Sequence, residues 1–381
     1  MKKIVIAPDS FKESFSARQA AVAIETGFKR IFPEAIYEKI PMADGGEGTV
    51  QSLVDAWNGT LQHVEVVGPL GHKITASYGL SGDSNVAVIE MAAASGLHLV
   101  PREKRNPLYT TSYGTGQLIV DALEKGAQHI ILGIGGSATN DGGAGLAQAL
   151  GVQLKTREGE AIAYGGSALS TLHEIDLSII DPRLQDVTIE VACDVDNPLL
   201  GPEGAAAIYG PQKGATDEMI ETLDQCLAHY ATIIYETTGK DVRQRAGAGA
   251  AGGLGAGLLA FLDVRLERGI NLILAATKFS ERMKGADLVI TGEGRLDRQT
   301  VFGKTPIGVA TAAKLESIPV IAIAGQLAPG HDVIFEHGID AAFSIVPSVI
   351  SLDDAFENGL LYLEQTATNI ARTLKLRKCL Q

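Results

Sequence analysis

The sequence predicts an α/β fold in which both ends of the chain build one doubly wound parallel sheet and a second α/β domain is inserted between them. Three observations predict it. Short apolar runs alternate with helical stripes at the start of the chain, and the same alternation returns near its end. Between these stretches lie strand-like runs spaced too closely to hold helices. Finally, 44 glycines in 381 residues set against only 5% aromatics imply many tight turns, which suits an α/β enzyme better than a stack of aromatic-rich binding modules. The length calls for about two domains.

Ile4–Ala7 is a continuous apolar, β-branched run, as expected of a strand buried on both faces. Ser16-Ala17-Arg18-Gln19 then has the form of a capping box, followed at helical spacing by Ala20, Ile24, Phe28 and Ile31. Tyr37–Met42 reads as a second strand. Val50, Leu53, Val54 and Trp57 form a helical stripe closed by Asn58-Gly59, a typical C-terminal stop. At the far end, the runs Leu288–Thr291, Val320–Ala324 and Ala342–Val346 read as strands. They are separated by helical segments near Pro306–Leu315 and His331–His337 and followed by a long helix from about Ser351 to Leu374. This alternation implies parallel strands joined by right-handed crossovers.

The middle differs. Val64–Val67, Ile74–Tyr78 and Val86–Met91 follow one another without helices, and Ile189–Ala192 comes much later, after the polar Lys155–Glu160. We place the discontinuous domain at residues 1–70 and 285–381 and the inserted domain at 71–284.

A formal net charge of −13 provides no basic footprint for nucleic acid, although a few local cations can still dominate a pocket for a small anion. Cys193, Cys226 and Cys379 include no CxxC pair and read as reduced thiols rather than a disulfide frame or zinc site. No apolar run reaches the roughly 18 residues of a membrane span. Ile4–Ala7 is too short for a signal peptide, so a cytoplasmic location is expected.

Several glycine-rich stretches compete for a phosphate role. Gly247–Gly252 fits GxGxxG, but the polar KDVRQRA precedes it where a dinucleotide fold needs a buried strand; a close-packed helix start explains it better. Gly133-Ile-Gly-Gly-Ser-Ala138 is better placed, between the strand His129–Leu132 and the helix Ala144–Leu150. Its continuation, Thr139-Asn140-Asp141-Gly142-Gly143, adds a carboxylate that would repel pyrophosphate but suits a phosphate accompanied by Mg²⁺. Thr110–Gly116 clusters hydroxyls and glycines ahead of another helix, where an anion site and simple helix capping account for the same residues. In TGEGRLDRQTVFGKTP, Gly303-Lys304-Thr305 looks like the end of a P-loop, yet Arg298 stands where that motif requires glycine. Pro306 reads as a first helical residue with Thr305 as N-cap, which leaves Lys304 at a positive helix end.

Acidic clusters follow four of the strands: Asp9, then Asp44 with Glu47, then Asp194 with Asp196, then Glu293 with Asp297. Ligands of open α/β sheets bind beyond the carboxyl ends of the strands. One such carboxylate is commonly a helix cap, but four clusters near Lys12, Lys213 and Lys304 fit metal-assisted phosphoryl transfer, which needs Mg²⁺ ligands, cations for phosphate and a base. There is no HExxH, no GxSxG elbow and no His/Cys cluster at zinc spacing.

Taken as a set, IAPDSFKESFSA, PMADGGEGTV, IEMAAASGL, TTSYGTG, GIGGSATNDGGAG, VACDVDNPL, GPQKGA, GAGAAGGLGAG and TGEGRLDRQTVFGKTPIGVA closely resemble the bacterial glycerate kinase family, specifically type I glycerate 2-kinases, essentially from end to end. The resemblance implies a flavodoxin-like domain interrupted by a second α/β domain. It also implies an ATP-dependent kinase that acts on D-glycerate and gives 2-phosphoglycerate.

Residue roles follow from chemistry. Asp194, after a buried strand, is the first choice of base and Asp44, in the loop ADGGEGT, the second; Lys12 completes the catalytic set. Ser10, Thr111, Ser112, Gly135, Gly136, Ser137, Asn140, Lys213, Arg295 and Lys304 are candidates for binding substrate or phosphate. Asp141, Glu293 and Asp297 are candidates for Mg²⁺. ATP and glycerate are the expected partners, with homo-oligomerisation left open. Two other readings remain: a non-catalytic sugar-acid sensor, which would be expected to have lost the strand-end carboxylates, and a nicotinamide-dependent hydroxy-acid oxidoreductase.

Overall fold

A computed structural model describes residues 1–46 and 48–376; Glu47 and Cys379 lie outside the described residues. The strands are β1 (Lys3–Pro8), β2 (Ile36–Lys39), β3 (Thr60–Val67), β4 (Lys73–Leu80), β5 (Val86–Glu90), β6 (His129–Gly133), β7 (Gln153–Lys155), β8 (Glu174–Asp176), β9 (Thr188–Ala192), β10 (Val264–Glu267), β11 (Leu288–Leu296), β12 (Val320–Leu327) and β13 (Ala341–Ser344). They belong to two compact units. One comprises Met1–Asp44, Gln51–Trp57 and Arg268–Gln381, the other Gly45–Val50 and Asn58–Glu267.

The first unit has an all-parallel five-stranded sheet in the order β13-β12-β11-β1-β2. Numbered within the unit this is 2-1-3-4-5, the flavodoxin-like order. Ile4, Val5 and Ile6 are all fully buried, so both faces of β1 are covered, as its unbroken apolar run predicts. Helices Ala17–Lys29 and Gly359–Leu376 pack together over one face, where Ile24, Phe28, Leu363 and Ile370 meet Ile4, Ile6 and Ile290. The capping box forms in full, with Ser16 accepting from the Gln19 backbone and Gln19 reaching back to the Ser16 N–H.

Three details depart from expectation. β2 spans Ile36–Lys39 rather than reaching Met42, although Ile40 N and Met42 N still donate to the Ile6 and Pro8 carbonyls of β1, with Pro41 at the alternate position that faces away from that partner. β11 runs on to Leu296 instead of stopping at Thr291, because β12 pairs with it as far as Leu296↔Leu327. The last helix is two, Leu352–Glu357 and Gly359–Leu376, parted at Asn358.

The second unit has a six-stranded sheet, β10-β9-β6-β5-β4-β3, parallel from β10 to β5 and antiparallel from there to β3, with a separate β7-β8 pair. Its apolar residues form two clusters, one around Tyr78, Leu118 and Ile130 and one around Leu227, Tyr230 and Ile234 on the long helix Asp217–Thr238. The GxGxxG stretch is indeed a close-packed helix start. Gly252 has φ +72°, and a Cβ there would overlap the Thr139 carbonyl oxygen. Among the described residues no helix is long and apolar enough to cross a membrane.

Candidate active site

In the first unit, the carboxyl ends of β1 and β11 stand side by side, where the strand order reverses and a crevice for ligands is expected. Asp9 lies just beyond β1 and is only 8% exposed. Its carboxylate accepts the Ser10 N–H at 2.6 Å and the Thr305 hydroxyl at 2.6 Å. Burial, reinforced by the nearby charge of Asp44, pushes its pKa up to about 6 against the opposing hydrogen bonds.

Glu293 sits within the extended part of β11. It accepts from the Thr300 hydroxyl at 3.1 Å, and its carboxylate stands 3.5 Å from Lys304 Nζ. Burial pushes it up to about 7, with the Lys304 charge pulling the other way. Lys304 Nζ is also 3.9 Å from Asp297, which stands 3.3 Å from Arg295 Nε. The structure thus brings Lys304, Glu293, Asp297 and Arg295 into one network. With Asp9, Ser10, Lys12 and Asp44, most of these line a cavity of ≈ 910 Å³ within this unit.

The P-loop likeness dissolves into local geometry. Gly303 has φ +97°, a backbone that favours glycine, and Lys304, not Thr305, is the N-cap of the helix Thr305–Leu315. Thr305 is the first helical residue and its hydroxyl is committed to Asp9.

In the second unit the two glycine- and hydroxyl-rich loops are laced together. Asp141 is 1% exposed and accepts from Ser112 N and Oγ, both at 2.8 Å, and from the Gly143 and Gly145 N–H groups. Burial raises its pKa and these bonds oppose the rise. Asp141 thus clasps the two loops together, with both of its oxygens accepting hydrogen bonds.

Ser112 and Thr111 are likewise fully buried. Ser112 Oγ accepts from Leu146 N and Thr111 Oγ1 accepts from Tyr113 N. Lys213, only 2% exposed, donates to Ser137 Oγ at 2.9 Å and to the Thr139 carbonyl at 2.6 Å, and burial pushes its ammonium down to about 7. The hydrogen bonds of these side chains tie the two loops to each other and to the segment that carries Lys213. Gly135 and Gly136 remain exposed at the loop's tip. Asn140 is fully buried, and both of its amide atoms lack a hydrogen-bond partner. Asp194 stands exposed just past the end of β9.

Among the described residues no group of three or more His, Cys, Asp or Glu could hold a metal ion alone. Mg²⁺ commonly takes one or two carboxylates and completes its shell with phosphate oxygens and water. The hard oxygen donors Asp9, Glu293 and Asp297 fit that mode of binding.

The family model described as the glycerate kinase family matches residues 4–375. The chain belongs to the glycerate kinase family. Curated relatives include a glycerate kinase of Halalkalibacterium halodurans, 64% identical over 97% of this chain and 98% of that protein. A glycerate 2-kinase of Escherichia coli K12 is 55% identical over 98% of each. A crystal structure from Salmonella typhimurium LT2, provisionally named glycerate kinase 2, superposes with a TM-score of 0.93 at 55% identity, covering 99% of both chains.

Within this glycerate kinase family fold, sequence reasoning missed the Asp9–Thr305 contact. Its partners are 296 positions apart, and Thr305 looked like an ordinary cap. The available signal was a strand-end aspartate with no capping motif of its own.

Proposed function

We propose that the chain transfers the γ-phosphoryl group of ATP to a hydroxyl of D-glycerate, giving ADP and 2-phosphoglycerate. The observation that carries this reading is the family match over residues 4–375, supported by carboxylates and cations gathered at the switch point of the parallel sheet. Both substrates are small cytoplasmic metabolites, so we place the activity in the cytoplasm.

In the proposed reaction the glycerate hydroxyl oxygen attacks the γ-phosphorus. A new P–O bond forms, the bond to the β–γ bridging oxygen breaks with its electron pair leaving on ADP, and the hydroxyl proton passes to a carboxylate. Asp194 is the first choice for that base. Asp44 is the second, and it lines the same cavity as Lys12. Lys12, Arg295 and Lys304 are suited to holding the glycerate carboxylate or the phosphates, and Ser10 offers a hydroxyl beside them. Mg²⁺ held through Glu293 and Asp297 with phosphate oxygens would supply charge neutralisation. The exposed Gly135-Gly136 turn leaves backbone N–H groups available to an anion.

Purified protein with ATP and Mg²⁺ is tested against D-glycerate, lactate and tartrate by following ADP. ADP formation with D-glycerate is expected. No ADP with any of the three acids would remove the kinase reading and return the sensor and oxidoreductase alternatives.

A further inference from the structure

We infer that the cavity of the first unit is the nucleotide site, with the adenine ring against its apolar lining and the triphosphate against its charged lining. The inference rests on the kinase reading above, which supplies a nucleotide and a three-carbon acid as the two ligands to be placed.

The cavity lining has two chemical characters. Asp9 and Lys12 follow β1, Glu293 and Arg295 lie on β11 and Lys304 caps the helix Thr305–Leu315, whereas Ile345 and Val346 follow β13 at the edge of the sheet, Leu352 opens the helix Leu352–Glu357, and Phe11 and Phe15 add aromatic surface. Phe11 and Phe15 are stacked with centroids 4.5 Å apart and are 3% and 7% exposed, a fixed flat floor. Their loop is closed by reciprocal backbone bonds, Phe11 N to Phe15 O and Phe15 N to Phe11 O. The same loop carries Ser10 and Lys12, so one short segment contributes both aromatic and polar or charged lining. Gln326, exposed on β12, adds an amide to the lining for the polar edge of a base or ribose.

Size and polarity favour the nucleotide. A volume of ≈ 910 Å³ lies at the upper end of the roughly 300–1,000 Å³ usual for small-molecule pockets. Glycerate has no apolar part and would leave the aromatic and aliphatic lining in water. Val346 and Leu352 are 39% and 67% exposed on this rim, apolar surface that a stacked ring would cover. A nucleoside triphosphate is the one ligand of this reaction with both a flat apolar group and a polyanion.

The test uses the whole protein and two probes, ATP and inorganic tripolyphosphate, each with Mg²⁺, titrated by calorimetry. Val346→Ser and Leu352→Ser alter exposed positions and are neutral, so they should fold and leave the triphosphate undisturbed. Losing the apolar contacts of both is expected to weaken ATP roughly tenfold, leave tripolyphosphate unchanged, raise KM for ATP and leave KM for glycerate alone. Unchanged ATP binding, an equal loss for both probes, or a shift confined to glycerate would overturn the assignment. An ATP-selective loss in the variants, together with wild-type protein that forms no ADP with glycerate, would support the site while overturning the proposed function.

Discussion

Replacing Asp9 with Asn removes a buried ionisable group whose effect on stability can be worked out in sign and size. The Asp9 carboxyl is raised from 3.8 to about 6, chiefly by burial. Below the lower value both folded and unfolded chains are protonated. Between the two values the unfolded chain has released a proton that the folded one retains, so wild-type stability falls as pH rises through this window. A difference of about two pKa units corresponds to roughly 3 kcal/mol lost between pH 4 and pH 7.5. Asp9→Asn lacks this slope, so its stability relative to wild type should improve by about that amount over the same range. Part of the absolute gain will be offset by the weakened bonds from Thr305 and Ser10, but that offset is not what sets the slope. Trp57 is the only tryptophan and lies in the same unit, its indole N–H donating to the Ala276 carbonyl at 3.0 Å. Urea unfolding followed by Trp57 fluorescence at several pH values therefore reads this unit directly. A variant-minus-wild-type difference that is flat in pH, or that falls as pH rises, would refute the reasoning.

Asp194→Asn and Asp44→Asn test the base: the true one should lose roughly 10²–10⁴-fold in turnover with an unchanged circular dichroism spectrum, and near-normal turnover in both would exclude the pair. Lys213→Met should be most stabilising relative to wild type near pH 6 and lose that advantage towards pH 10. The folded ammonium has its pKa lowered to about 7, so wild type gains stability as pH rises from there towards the ordinary lysine value; denaturation followed by circular dichroism checks this. Gly252→Ala places a Cβ against the Thr139 carbonyl at positive φ and should lower the thermal midpoint or abolish soluble expression. Chelating divalent cations should abolish ADP formation, and added Mg²⁺ should restore it, as a coupled ADP assay would show.

The sheet of the first unit was legible because strands buried on both faces carry unbroken apolar runs, and the Ser16–Gln19 box marked its first helix directly. β10 escaped notice because Val264 and Leu266 alternate with Arg265 and Glu267 on a short edge strand. The continuation of β11 was hidden for the same reason: Glu293 and Arg295 read as turn residues until β12 supplied their partners. The site was legible as residue types at strand ends. Which of them interact was not, since Asp9 meets Thr305 only once the parallel sheet brings β1 beside β11. Nor could the sequence separate hydroxyls that face a ligand from those, such as Ser112, that are consumed in holding two loops together.

The most direct test of the central claim is the phosphorus NMR spectrum of the product formed from ATP, Mg²⁺ and D-glycerate. Transfer to the 2-hydroxyl predicts a new phosphomonoester signal split into a doublet by the single proton on C2, accompanied by ADP. A signal coupled to the two methylene protons of C3 would contradict the proposed product, and no new phosphomonoester signal would contradict the kinase itself.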